Sequence, residues 1–176
     1  MTTGEIEAGK EMFRDFVQIG VVVGDLDKCV RALTEIFGIG PFRMIDWPPA
    51  DRTDIERFYY GEPTEFTARM AFTELGPVEL ELIEPGEGDS IWADFLREHG
   101  GGIHHIRFNV PDLEPVVKYL ADQDIQVAQM GSGLRPGTTW ANFATDGVVG
   151  FTIEAMKVVA GTDGRTPNFV EGKVQV

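Results

Sequence analysis

The sequence predicts an α+β fold built from two related halves, each running as a strand, a helix and then further strands. Three observations lead there. VQIGVVVGDLDKCVRALTEIFGIG, from Val17, and HHIRFNVPDLEPVVKYLADQDIQ, from His104, register at an offset of 87, pairing Ile19 with Ile106, Val23 with Val110, Asp25 with Asp112, Leu26 with Leu113, Val30 with Val117 and Leu33 with Leu120. VELELI, from Val78, and FTIEAM, from Phe151, register at an offset of 73 and place Glu81 on Glu154. Within each half the apolar residues switch between the two-residue period of strands and the period of helices.

The elements follow in order. Residues 1–15 read as an N-terminal arm and 16–88 as the first module. In that module Asp25 suits an N-cap, Leu26, Val30, Leu33 and Phe37 form the helical stripe, and Gly38 stands where a glycine ends the turn. Phe66, Ala68, Met70 and Phe72, then Val78, Leu80 and Leu82, alternate with polar residues as half-buried strands do. The second copy is 14 residues shorter, and the excess falls in the loop between Asp46 and Pro63. Residues 89–103 form a linking helix, SIWADFLREH, and a glycine linker; 104–158 form the second module. There Asp112 is expected as the cap, with Pro115 tolerable only in the first turn. Residues 159–176 read as an appended tail to which no chemistry is assigned.

Composition narrows the function classes. The 176 residues carry 15 Lys+Arg against 29 Asp+Glu, a net charge of −14, with 43% hydrophobic residues. Such a field repels polyphosphates and anionic lipid, and no basic run offsets it, so nucleic acid and membrane surfaces are excluded as expected partners. The single Cys29 and a start without a basic, then apolar, leader predict a cytoplasmic, soluble protein.

Strand alternation sorts the polar residues onto faces. Val17, Ile19, Val21 and Val23 form one set of the first strand and leave Gln18 on the other; His104, Ile106, Phe108 and Val110 leave His105 with Arg107 and Asn109. Gln18 and His105 are repeat mates, as are Glu81 and Glu154. If the two sheets combine, one amide oxygen, one imidazole and two carboxylates come within reach of one divalent cation, with zinc, cobalt, nickel, manganese and magnesium undistinguished. A strand glutamate commonly just faces water. The pairing of all four positions by the internal symmetry favours the metal site.

These residues resemble the vicinal oxygen chelate superfamily, which includes glyoxalase I, methylmalonyl-CoA epimerase, extradiol dioxygenases and antibiotic-resistance binding proteins. The resemblance runs from about Phe16 to Met156, and VELELIEPGEGDSIWADFLREHGGGIHHIRFNVPDLE is similar to the epimerase pattern. It implies paired βαβββ modules, a curved and partly closed antiparallel-rich sheet around a metal, and ligands at Gln18, Glu81, His105 and Glu154. Gln18 with Glu81 departs from the epimerases and is similar to the animal-type glyoxalase I set. The resemblance also implies that Glu65, 16 positions before Glu81, pairs with Glu154 as catalytic acid and base.

The expected activity is therefore a metal-dependent epimerase or isomerase moving a proton α to a carbonyl, on an acyl thioester similar to methylmalonyl-CoA. The alternatives are a glyoxalase I-like lactoylglutathione lyase and a metal-free small-molecule binding protein of the resistance type. A homodimer is expected, with a small carbonyl compound as its other partner. Phe66, Phe72, Trp140, Phe143 and the Trp47 to Tyr60 loop are candidates for excluding water from the base. His104 is expected as a buried, hydrogen-bonded neighbour, His99 as an exposed helix end, Cys29 as a small packed residue and Arg135 as a solvated loop residue.

Overall fold

The computed structural model describes residues 3–159, 161, 169–170 and 173–174. The elements of the main body are α1 (Thr3–Met12), β1 (Asp15–Val22), α2 (Leu26–Phe37), β2 (Arg43–Trp47), β3 (Arg57–Tyr59), β4 (Glu62–Pro63), β5 (Ala68–Leu75), β6 (Val78–Pro85), α3 (Ile91–His99), β7 (Gly102–Val110), α4 (Glu114–Ala121), β8 (Val127–Ser132), β9 (Thr139–Phe143), α5 (Asp146–Val149) and β10 (Thr152–Lys157). Of the expected tail, the described part holds a two-stranded ladder of Phe169–Val170 with Lys173–Val174; most of the rest lies outside the described residues.

One curled sheet carries the strands in the order β2-β5-β6-β1-β7-β10-β9-β8-β3-β4. The first eight are two mirrored halves that meet at the antiparallel pair β1 and β7, flanked by the parallel pairs β1–β6 and β7–β10. The repeat is thus a structural one, and its near-symmetry axis runs between Gln18 and His105. Helix α2 covers the outer face of the first half against Leu26, Ala71, Leu80 and Leu82. Helix α4, with Met12 and Phe13 at the end of α1, covers the second half. The inner face holds a third cluster in which Trp47, Phe66, Trp92 and Trp140 pack ring against ring at 5.2–6.4 Å.

Three sequence expectations change. The arm contains α1. Asp25 does cap α2, accepting from the Lys28 amide at 2.9 Å, but Leu113, not Asp112, sits at the N-cap of α4 and makes no side-chain cap bond, with Pro115 in the first turn. The loop between Asp46 and Pro63 is not featureless. Tyr60 (φ 47°) and Gly61 (φ 85°) form a two-residue turn of the primed kind joining β3 to β4, and β3 hydrogen-bonds β8 at the opposite edge from β2. Residues 48–56 therefore cross from one edge of the half-barrel to the other as a strap. Arg52 ties the strap to the Leu134 carbonyl at 2.5 Å, and Glu56 pairs with Ser132. No helix among the described residues is long and apolar enough to cross a membrane.

Candidate metal centre and proton-transfer site

The inner face of the central strands is polar and buried. Register aligns Glu79, Gln18, Arg107, Glu154, Asn142 and Gln129 as one row across β6, β1, β7, β10, β9 and β8, and every member is at least nine-tenths buried. The adjacent row runs Glu81, Gly20, His105, Thr152. These side chains lie on the face opposite Ile19, Ile106 and Phe108, as the alternation predicts. They are buried more deeply than that apolar set because the sheet curls around them and the strap spans its mouth.

His105 stands at the centre of the group. Its Nε2 lies 3.3 Å from Glu81 Oε2 and 3.4 Å from Glu154 Oε2, and it has no hydrogen-bond partner. The ring occupies space that Gly20 leaves open: a Cβ on Gly20 would stand 2.0 Å from His105 Cε1 and 2.3 Å from Nε2. The Gln18 amide donates to Glu79 Oε1 at 2.8 Å, which leaves Gln18 Oε1 buried and unpartnered. Glu79 is held in turn by Arg43 at 2.7 Å, and Asn142 donates to Glu154 Oε2 at 2.9 Å.

The electrostatics follow from crowding. Burial pushes the Glu154 carboxyl above the usual carboxylate range and Glu81 adds to this, against the pull of His105, Arg107 and the Asn142 amide. Burial alone would lower His105, but Glu154 and Glu81 together outweigh it and hold the imidazole above its ordinary value. His104 lies 3.0 Å from His105, Nδ1 to Nδ1; burial, with His105 beside it, pushes it down to about 2.

The donor set suits a divalent cation in kind. It offers an imidazole nitrogen that makes no hydrogen bond, two carboxylates that balance the charge, and an orphaned amide oxygen. Ligand atoms bonded at about 2.1 Å lie roughly 3.0–3.4 Å apart around one ion, and the His105 contacts match that spacing. Among the described residues no group of three His, Cys, Asp or Glu side chains forms a ready-made cage; the carboxylates are drawn onto Nε2 itself, and one donor is an amide.

Glu65 is not brought to this group. It lies out of phase with Phe66, Ala68, Met70 and Phe72, which face the inner cluster, and its side chain is 89% exposed and paired with Arg57. Of the candidate water-excluding aromatics, Phe66, Phe72, Trp47 and Trp140 line the inner cluster, whereas Phe143 packs on the outer face with α4. His99 lies against Phe95 at the end of α3, the ring centroids 4.6 Å apart and the planes tilted by 40°. Sequence reading missed the support residues Glu79, Arg107, Asn142 and Gln129. Glu79 and Arg107 carried a usable signal, since each shares the face of an expected ligand two residues away.

Comparison with known proteins places the fold. Residues 17–144 match the family model of the glyoxalase/bleomycin resistance protein/dioxygenase superfamily. The uncharacterized protein YqjC of Bacillus subtilis (strain 168) is 41% identical over 63 residues, 36% of this chain and 45% of that protein, so the chain matches less than half of that relative's length. Among solved structures, hypothetical protein BH1468 from Bacillus halodurans C-125 superposes with a TM-score of 0.62 at 21% identity over 84% of this chain and 96% of its own. A Streptomyces coelicolor methylmalonyl-CoA epimerase variant in complex with 2-nitronate-propionyl-CoA superposes at 0.59 with 21% identity and the same coverage. At such identities the likeness is one of fold. With the family model spanning most of its length, the chain belongs to the glyoxalase/bleomycin resistance protein/dioxygenase superfamily.

Proposed function

We propose that this protein is a metal-dependent enzyme that moves a proton on carbon next to a carbonyl, with an acyl thioester of the methylmalonyl-CoA type as substrate. The observation that carries the reading is the buried meeting of His105 Nε2 with Glu81 and Glu154 beside the unpartnered Gln18 oxygen. Gln18, Glu81, His105 and Glu154 would hold the cation, which when bound supplies a Lewis acid for the negative charge on the carbonyl oxygen. Glu154, raised by burial, is matched to take a carbon-bound proton and to return it. Asn142 aims one of its oxygens, and the Trp47, Phe66, Trp92 and Trp140 cluster keeps bulk water from the base. Epimerase neighbours solved with methylmalonyl-CoA or 2-nitronate-propionyl-CoA support the thioester class.

The test is exchange of the α-proton of a 2-methylacyl thioester in deuterated water by metal-supplemented protein. Glu154→Gln should slow exchange at least ~100-fold, in the range general-base catalysis contributes, while Glu65→Gln should stay within about threefold because its carboxylate faces solvent. No exchange by the parent protein would count against the reading. A second reading, a glyoxalase I-like lyase, is favoured by the outward placement of Glu65, which leaves the acid/base work to the glutamates around His105. Release of lactoylglutathione from methylglyoxal and glutathione would establish it.

A further inference from the structure

In a regular strand, consecutive residues point to opposite faces, yet His104 and His105 meet at 3.0 Å through their Nδ1 atoms. The cause is a bulge. Gly20 pairs with His105 and Val21 with Ile103, so His104 is the extra residue of β7, entered through Gly101 and Gly102 at φ 104° and 135°. The mirrored strand has the same irregularity between Phe16 and Gln18, where Val17 is the extra residue. Val17 and His104 are mates at the repeat offset of 87. The two halves thus share the bulge but not its side chain: an apolar residue precedes the amide ligand, and a histidine precedes the imidazole ligand.

We propose that His104 is a positioning residue that fixes which nitrogen of His105 carries the proton. An Nδ1···Nδ1 contact needs one donor and one acceptor. Nε2 of His105 faces the proposed cation position beside Glu81 and Glu154; with its lone pair given to the cation, the one remaining ring proton is on His105 Nδ1 and is donated to the Nδ1 lone pair of His104. His105 Nε2 is thereby held facing Glu81 and Glu154, where a cation would take its lone pair. Partners of this kind orient a ligating imidazole and set its tautomer. The inference rests on the metal-site reading above.

The test uses the full chain, zinc as the probe, and two variants. His104→Asn keeps an acceptor oxygen near the position of Nδ1; His104→Phe keeps a ring without one. Zinc affinity should fall about 10–100-fold in H104F and stay within about fivefold of the parent in H104N. In zinc-loaded, 15N-labelled protein, a slowly exchanging His105 Nδ1 proton should be seen in the parent and in H104N and be lost in H104F. Parental zinc affinity and an intact proton signal in H104F would overturn the proposal while leaving the metal site standing. Should H104F fail to fold, loss of the signal in folded H104N would overturn it equally. A parent chain that takes up no zinc would overturn the metal reading, and the proposal with it.

Discussion

At the scale of single residues, the site depends as much on a missing side chain as on those present. Gly20 lies between Glu81 and His105 in the register, and the imidazole fills the space its Cβ would take. Gly20→Ala places a methyl group inside that ring volume, so either His105 turns away or the β1–β7 pair separates. The expected cost is about 1–3 kcal/mol in denaturant unfolding, with zinc uptake weakened at least ~10-fold in calorimetry. The four proposed donors were legible because two independent offsets paired them; Gly20 was not, because a glycine in a strand gives no sign of what leans over it. The spacing that nominated Glu65 counts residues along the chain, but Glu65 is out of phase with the inward-facing Phe66, Ala68, Met70 and Phe72, so its carboxylate falls on the other side.

At the scale of elements, the helices were legible as stripes, but their ends obey local rules that repeat symmetry does not transmit. Asp25 and Asp112 are sequence mates, yet only Asp25 accepts a cap hydrogen bond. Beyond Asp112 the chain turns at Leu113, already in the right-handed helical region, and Pro115 fills the first turn, where its missing N–H needs no acceptor. Asp25→Ala should lower unfolding stability by about 1 kcal/mol. Asp112 makes only a partly exposed contact with Lys157 at 3.5 Å, so Asp112→Ala should cost less than about 0.5 kcal/mol. Paired urea titrations at neutral pH check the difference; equal losses would mean that Asp112 acts on α4 after all.

At the scale of the whole molecule, the halves make a trough and the strap makes it nearly a barrel. The repeat foretold the trough, because each half carries its own alternation. It could not foretell the closure, since the pairing of β3 with β8 joins residues some 70 positions apart and neither partner's sequence names the other. One tie in that closure is open to titration. The Tyr59 hydroxyl, on β3, donates to Asp94 Oδ2 on α3 at 2.5 Å, and this bond, with burial and the Asp94 charge behind it, raises the phenol from 10.0 to about 12. A phenol held protonated by the fold beyond its ordinary range stabilises the folded state fully below pH 10 and loses that contribution as pH climbs toward 12. The strap should therefore loosen first on the alkaline side, and limited proteolysis between residues 48 and 63 should accelerate above pH 10 while the inner aromatic cluster keeps its fluorescence. Tyr59→Phe removes both the bond and its titration, so strap cleavage should be faster than in the parent at neutral pH and nearly flat from pH 9 to 11. A parallel alkaline rise in both proteins would assign the loosening to other groups.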